Sequence, residues 1–324
     1  MKKILITGIS GQDGVFLTKY LLEKNSSINV IGISRSNPEI SIYRKLKYLG
    51  YTNFDNIDIY NLNLEDKKQV NNFITDINPD VVYNLSGPSS VYQSFLNNEN
   101  KNSIVNIFDN LISAFIKNKN FPRFFQASSS EMFGTSDNIL NENSTFNPNS
   151  PYAEAKLINH LKVKELYKNY DWPIYSGIMF NHESEFRNKD YLVMKIIKSA
   201  KEISASPEKN LTLGSLDYIR DWTYASDTVN AIYEITTKAT SSDYVIGSGN
   251  GHTIKDMVNY IFTYFNLDWS NYVDTDKNLL RNGDPVSVVS NPTKLKKELN
   301  WDTRIKFNQM LDKCIKGFNE FGSA

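Results

Sequence analysis

Three groups of residues in this chain have the type and spacing to do chemistry. Gly8, Gly11 and Gly14 recur at a spacing of three directly after the apolar run Ile4-Leu5-Ile6. Gly8 can take a positive φ in a tight turn, Gly11 has no Cβ to hold a pyrophosphate off the backbone, and Gly14 lets the next helix pack closely. Free N–H groups at the start of that helix then face the phosphates. With Gln12 and Asp13 between the glycines, the stretch is expected to bind a dinucleotide. The second group is Tyr152 and Lys156, at i and i+4 on one helix face. An ammonium near a phenol lowers its pKa, so Tyr152 is expected to work as a base near neutral pH. The third is the run Ser128-Ser129-Ser130-Glu131. Its hydroxyls can bond a substrate oxygen, the plainer reading being that they bond local backbone. Glu131 is a carboxylate with no evident structural purpose there.

The elements that must position these groups follow from hydrophobic pattern. Short apolar runs at 4–6, 28–34, 57–60, 81–85, 123–127 and 173–180 read as strands, with helical patterns between them, for example at 65–77 and 104–117. Such alternation predicts an α/β fold with a doubly wound parallel sheet and right-handed crossovers. The serine run then lies at the carboxyl end of the fifth strand, where ligands of open α/β sheets bind. The Tyr-x-x-x-Lys spacing also occurs at Tyr20/Lys24, Tyr43/Lys47 and Tyr191/Lys195. Tyr20 falls in the first helix and Tyr43 in the loop after the second strand. Context selects Tyr152, which opens a helix behind the turn signal Asn147-Pro148-Asn149-Ser150-Pro151. Beyond Asn181 the pattern loosens into short elements, such as a strand at 211–213 and a helix at 254–265. The expected division is residues 1–181 plus about 228–249 for the dinucleotide and 182–227 plus 250–324 for a smaller substrate domain.

Composition excludes several classes. Lys+Arg and Asp+Glu both number 36, which argues against nucleic-acid or membrane-surface partners. Cys314 is the only cysteine, so no internal disulfide can form and the chain suits a reducing cytoplasm. No apolar run reaches transmembrane length, and Met1-Lys2-Lys3 leads into a strand rather than a signal peptide. No His/Cys/carboxylate spacing suggests a metal. His160 reads as a helix-face residue, and His252 lies in a Gly-rich turn without an evident partner.

The place after the second strand commonly holds an acidic residue that binds the ribose hydroxyls of NAD. Here it reads Ser34-Arg35-Ser36. A guanidinium pairs with a 2′-phosphate, so NADP is the expected cofactor.

Gly8 to Gly14, the serine run with Glu131, and Tyr152/Lys156 resemble the extended short-chain dehydrogenase/reductase family. Within it, Gly11-Gln12-Asp13-Gly14, Phe180-Asn181-His182-Glu183-Ser184, Leu213-Gly214-Ser215-Leu216-Asp217 and Arg220-Asp221-Trp222 resemble the GDP-mannose 4,6-dehydratases. The likeness continues to Asn291-Pro292-Thr293-Lys294. It implies that Tyr152, aided by Lys156 and Ser129, takes the 4-hydroxyl proton of a nucleotide sugar while hydride leaves C4 for NADP. Glu131 then removes the C5 proton and helps water leave C6, and hydride returns to C6. The product is a 4-keto-6-deoxy sugar nucleotide. The resemblance also implies cofactor contacts at Asn63, Leu64, Leu85, Ser89, Lys156, His182 and Arg187. It implies nucleotide-sugar contacts at Asn181, Lys195, Arg220 and Arg281, and a homodimer or homotetramer in which the loop at 37–44 reaches a neighbouring subunit.

The chain departs from that pattern at several points. Asn63-Leu64 stands where the family has an acidic residue, Glu185-Phe186 for a Pro-Arg, Thr223-Tyr224 for a Gly-His, and Arg281-Asn282-Gly283-Asp284 for an Arg-Pro-x-Glu. Two other readings stay open. One is another sugar-nucleotide enzyme of the family: a 4-epimerase, a 4-ketoreductase or a decarboxylase. The first two generally lack a carboxylate at Glu131, and the Gly-Gln-Asp-Gly motif counts against the third. The other is a nucleotide-sensing binding protein that has lost its chemistry.

Overall fold

The apolar runs become parallel strands, and all but the run at 57–60 are covered on both faces. In the computed structural model, residues 1–35, 39–97, 99–135, 139–280 and 283–321 are described. The order begins β1 (Lys2–Thr7), α1 (Gln12–Lys24), β2 (Ile28–Ser34), α2 (Glu39–Tyr48), β3 (Ile57–Asn61), α3 (Lys67–Ile77) and β4 (Val81–Asn84). It continues through α4 (Val91–Leu96), α5 (Glu99–Lys117), β5 (Arg123–Ser129), β6 (Ile139–Leu140), α6 (Pro151–Tyr170) and β7 (Ile174–Met179). Then follow β8 (Asn181–Glu183), α7 (Leu192–Ala205), β9 (Leu211–Leu213), β10 (Ile219–Tyr224), α8 (Ala225–Lys238) and β11 (Asp243–Ile246). The last are β12 (Gly251–Thr253), α9 (Ile254–Tyr264), β13 (Val273–Thr275), β14 (Ser287–Ser290), α10 (Thr293–Leu299) and α11 (Phe307–Phe321).

Seven parallel strands form the main sheet in the order β11-β7-β5-β4-β1-β2-β3. The chain winds outward from β1 to β3, then restarts at β4 and winds the other way. The reversal between β1 and β4 opens a crevice at their carboxyl ends. Alternate residues of β1 feed two cores. Leu5 packs with Val82, Phe124 and Ile174 on one face, and Ile4 and Ile6 with Val15, Tyr83 and Phe125 on the other. The return to this sheet occurs at α8–β11, where α8 lies beside α1 and Asn230 donates to the Tyr20 hydroxyl at 2.6 Å. A second sheet runs β12-β10-β14-β6 with β8 paired to β10, and β9 pairs β13.

The structure departs from the expected elements where polar residues carry backbone geometry. β5 runs past Ala127 to Ser129, because Ser128 and Ser129 continue the ladder opposite Ile178 and Met179. Glu131 therefore falls in the single 3-10 turn Ser130–Phe133. Tyr43, expected in a loop, lies in α2, whose Ile42 and Leu46 are buried one turn apart. Arg44 does not project from a loop. It donates to the Glu320 carbonyl at 2.8 Å and lies over the Phe321 ring of its own chain. Asn37 of that stretch lies outside the described residues. His252 stacks on Phe307 at 4.0 Å, and His160 is buried against Ser176 at 2.8 Å.

Candidate active site

The glycine turn does its work by close approach. Gly8 has φ 72° and donates to the Ile33 carbonyl at 2.9 Å, tying the end of β1 to β2. A Cβ on Gly14 would stand 2.5 Å from the Gly8 carbonyl oxygen and 2.6 Å from Ile9 Cα, so only glycine lets α1 start against the turn. Gly11 is the residue before α1 and has an ordinary φ of −69°; a Cβ there would meet Gly8 O at 3.2 Å. The cleft above is lined by these glycines, Ser10, Gln12 and Asp13, with residues from the ends of β2, β3 and β4.

The two most distinctive sequence motifs form one hydrogen-bonded unit. The Gln12 carboxamide donates to the His182 carbonyl at 3.2 Å and accepts from Ser184 Oγ at 2.8 Å. His182 Nε2 lies 2.9 Å from Asp13 Oδ2, and Nδ1 lies 2.9 Å from the Phe180 carbonyl. A carbonyl and a carboxylate only accept, so both ring nitrogens donate and His182 is an imidazolium. Burial opposes the charge on each partner and is outweighed. Burial alone would lower the His182 pKa, and the Asp13 carboxylate raises it above the usual 6.5. Burial alone would raise the Asp13 pKa, and His182 brings it below the usual 3.8. The pair's stabilisation is therefore complete from the ordinary Asp value to the ordinary His value. It is lost as pH rises through the elevated His182 pKa, or falls through the depressed Asp13 pKa. A proton NMR titration of His182 is expected to show a midpoint above 6.5. In Asp13→Asn burial is unopposed by that charge and the midpoint should fall below 6.5. A wild-type midpoint below 6.5 would contradict the doubly donating ring.

The catalytic candidates converge where β5 ends and α6 begins. Ser150 caps α6 by accepting from Ala153 N at 3.1 Å, with Pro151 in the first turn. Tyr152 and Lys156 follow one turn apart, and Lys156 Nζ lies 5.6 Å from the Tyr152 ring centroid. The ammonium donates to the Ala127 carbonyl of β5 at 2.8 Å. Ser129 Oγ accepts from Glu131 N at 3.2 Å and acts on the Tyr152 phenol, lowering its pKa. The serine hydroxyl thus stands between the turn that carries the carboxylate, which it caps, and the neighbourhood of the phenol. The expected depression of the phenol pKa is not found: burial pushes Tyr152 well above 10, Ser129 only partly offsetting it. Lys156 is not among the groups that shift the phenol, and burial pushes its own pKa down to about 8. Of the serine run, Ser128 turns away and accepts from Ser176 Oγ at 2.7 Å.

The remaining expected residues fall into two groups. Arg35, Asn63, Leu64, Leu85, Ser89 and Arg187 line the cleft. Lys156 and His182 stand outside that lining, His182 behind Asp13. Asn63 Oδ1 is occupied by Glu65 N at 3.1 Å, and the carboxylate at this corner is Glu65, accepting from Ser103 Oγ at 2.8 Å. Asn181 of β8 pairs with Trp222 of β10. Arg220 on β10 reaches Asp284 Oδ1 at 3.1 Å, and exposed Lys195 donates to the Thr212 carbonyl at 3.2 Å. Arg281 lies outside the described residues. Sequence reasoning missed Ser10, Ser34, Glu65 and Ser86, which also line the cleft. Their signal was position, at or within a few residues of the carboxyl ends of β1, β2, β3 and β4. Among the described residues no group of three His, Cys, Asp or Glu could hold a metal, and no helix is long and apolar enough to cross a membrane.

Residues 5–314 match the family model described as GDP-mannose 4,6 dehydratase. The chain is 30% identical over 329 residues to GDP-mannose 4,6 dehydratase 1 of Arabidopsis thaliana, covering 97% of this chain and 89% of the relative. In fold it resembles the dTDP-glucose 4,6-dehydratase from Bacillus anthracis solved with NAD, with TM-score 0.85, 19% identity and coverage of 100% and 98% of the two chains. It also resembles RMD from Pseudomonas aeruginosa complexed with NADPH, with TM-score 0.80, 16% identity and coverage of 99% and 100%.

Proposed function

The chain belongs to the GDP-mannose 4,6-dehydratase family, and on that footing we propose that it converts GDP-mannose, or a closely related GDP-sugar, to the 4-keto-6-deoxy sugar nucleotide. The observation that carries the reading is that Ser129 and Glu131 stand at the carboxyl end of β5 while Lys156, one turn from Tyr152 on α6, is bonded to the Ala127 carbonyl of that same strand. Oxidation at C4 and elimination across C5 and C6 need different bases, and a phenol and a carboxylate differ enough in basicity to divide them. Tyr152 takes the C4 hydroxyl proton, with Ser129 orienting the oxygen. Lys156, fixed by the Ala127 carbonyl, holds positive charge beside the phenolate that forms. Glu131 removes the C5 proton, acidified by the new ketone, and returns a proton to the departing C6 hydroxyl. Incubation with GDP-mannose and with UDP-, dTDP- and CDP-hexoses, read by mass spectrometry, is expected to show loss of water from GDP-mannose. A C4 epimer or a reduced sugar without water loss would favour an epimerase or a reductase instead.

The residues present fit a nicotinamide dinucleotide. The Cβ-free ground over Gly11 and the N-terminus of α1 suits a pyrophosphate, and the cleft runs on to Leu85 and Ser89. When bound, the nicotinamide supplies the hydride acceptor and donor and, oxidised, a positive charge. We take the dinucleotide to be NADP. Support comes from one corner of the cleft, where exposed Arg35 adjoins the hydroxyls of Ser10 and Ser34, 3.3 Å apart. Arg35→Ala should weaken NADP binding by about 1.5–3 kcal/mol, roughly ten- to a hundredfold, and leave NAD binding unchanged. Equal loss for both dinucleotides, measured by calorimetry, would remove Arg35 from 2′-phosphate recognition.

The reading extends to the whole protein. Residues 1–181 with 228–249 hold the dinucleotide and 182–227 with 250–324 the nucleotide sugar. The protein acts in the cytoplasm as a homodimer or homotetramer. Exposed Tyr92, Phe95 and Leu96 of α4 and Leu161 of α6 favour assembly.

A further inference from the structure

Tyr191 is the residue before α7, and its carbonyl accepts from Lys195 N at 2.8 Å. Its hydroxyl is 2.8 Å from Ser89 Oγ, and its ring is covered by the Arg187 guanidinium at 3.7 Å. Ser89 and Arg187 both line the dinucleotide cleft. The ring therefore stands where the cleft meets the start of α7. Ser89 leads directly into α4, whose Ser94 Oγ accepts from Tyr152 N at 3.3 Å, so the Ser89–Tyr191 pair is tied to the segment that carries Tyr152. Among the described residues Ser89 is the hydrogen-bond partner of the phenol, and either oxygen can donate. A pair of hydroxyls keeps one donor and spare lone pairs for a third group. A ring that only packed under Arg187 would need no hydroxyl.

We propose that Tyr191 contacts the hexose of the nucleotide sugar, its phenol hydrogen-bonding a ring hydroxyl that is not the site of reaction. The proposal rests on the reading above, in which the hexose presents C4 to Tyr152 and the diphosphate lies toward Lys195. Tyr191 and Lys195 are one helical turn apart at the start of α7, which puts Tyr191 on the same side of that helix as the proposed diphosphate contact. Tyr191 thereby orients the sugar face that meets Tyr152, while Lys195 and Arg220 hold the charged end.

The test is equilibrium binding, which needs no turnover. Wild-type protein loaded with NADPH, which cannot accept the C4 hydride, is titrated with GDP-mannose and with GDP, and Tyr191→Phe likewise. Phe keeps the ring under Arg187, so it removes only the hydroxyl. GDP-mannose affinity is expected to fall about tenfold in Tyr191→Phe, the scale of one lost neutral hydrogen bond, with GDP and NADPH affinities unchanged. In turnover the same variant should raise KM far more than it lowers kcat. Equal weakening of GDP and GDP-mannose, an effect on NADPH alone, no effect at all, or a wild type that binds GDP-mannose no more tightly than GDP would each overturn the contact. Loss of water from GDP-mannose by the wild type scores the dehydratase reading separately, whatever Tyr191→Phe does.

Discussion

Glu131→Gln, given substrate and oxidised NADP, builds up reduced cofactor and releases almost no product. That outcome follows from where the two bases stand. Glu131 is on the 3-10 turn after β5 and Tyr152 on α6, and in the proposed mechanism they serve different steps. Gln keeps the size of Glu131 and its place on the turn, so binding and C4 oxidation proceed. It cannot take the C5 proton, so elimination stalls, by about 10²–10⁴ in rate for loss of one general base. Tyr152→Phe should show the opposite defect: the C4 proton has no acceptor, oxidation fails by a similar factor, and no reduced nicotinamide absorbance grows. The split, one variant stalled after oxidation and the other before it, separates a dehydratase from an epimerase or a reductase. Near-normal water loss in Glu131→Gln, or no solvent deuterium at C5 of the wild-type product, would refute this division.

The buried phenol adds a pH dimension to the same step. Tyr152 in the protein alone has its pKa raised by burial, and Lys156 is held down to about 8 by burial. Spacing on a helix face said that phenol and ammonium are neighbours. It could not say how little water reaches them, and desolvation disfavours the charged form of both. The ammonium that was to activate the phenol is itself penalised, and is directed at the Ala127 carbonyl.

What could be read from sequence was what depends on near neighbours. Ile4-Leu5-Ile6 is apolar at every position, which requires two covered faces, and β1 sits mid-sheet with Leu5 feeding one core and its neighbours the other. The glycines mark their turn because the positive φ of Gly8 strains most other residues and only glycine gives Gly14 its clearance. Links across the chain were not legible. Asp13 and His182 are 169 positions apart and form an ion pair. A carboxylate does line this corner of the cleft, but it is Glu65, two residues after Asn63. Two other departures meet each other: Glu185 accepts from the Tyr224 hydroxyl at 2.7 Å, and a Cβ on Gly317 would stand 1.9 Å from Glu185 Cβ. A substitution in one loop looks arbitrary until the residue facing it is known. The α2 assignment failed for a smaller reason, since its two buried residues give a short segment little periodic signal.

Gly14→Ala should do more damage than its single methyl group suggests. In an exposed helix interior the change would add about 1 kcal/mol of stability through helix propensity. Here the methyl carbon would lie 2.5 Å from Gly8 O and 2.6 Å from both Ile9 Cα and Ile9 O. All three are backbone atoms in the turn that joins β1 to α1, so no side chain can swing aside. The first turn of α1 must lift, which costs about 1–3 kcal/mol or more in overpacking. Its N–H groups then no longer aim at the pyrophosphate, and Gln12 and Asp13 are drawn from His182 and Ser184. Dinucleotide affinity should fall by at least about a hundredfold, and the denaturation midpoint with it. Gly11→Ala separates the two roles of these glycines. Its φ suits alanine, and the one contact of the new Cβ, 3.2 Å to Gly8 O, asks for a shift of a few tenths of an ångström. Its stability should stay within about 1 kcal/mol of wild type while affinity falls, because the methyl group occupies the ground meant for phosphate. If Gly14→Ala instead unfolds at the wild-type denaturant concentration and binds NADP normally, α1 does not rest on the turn in the way described, and the approach of helix to strand is not what makes this site.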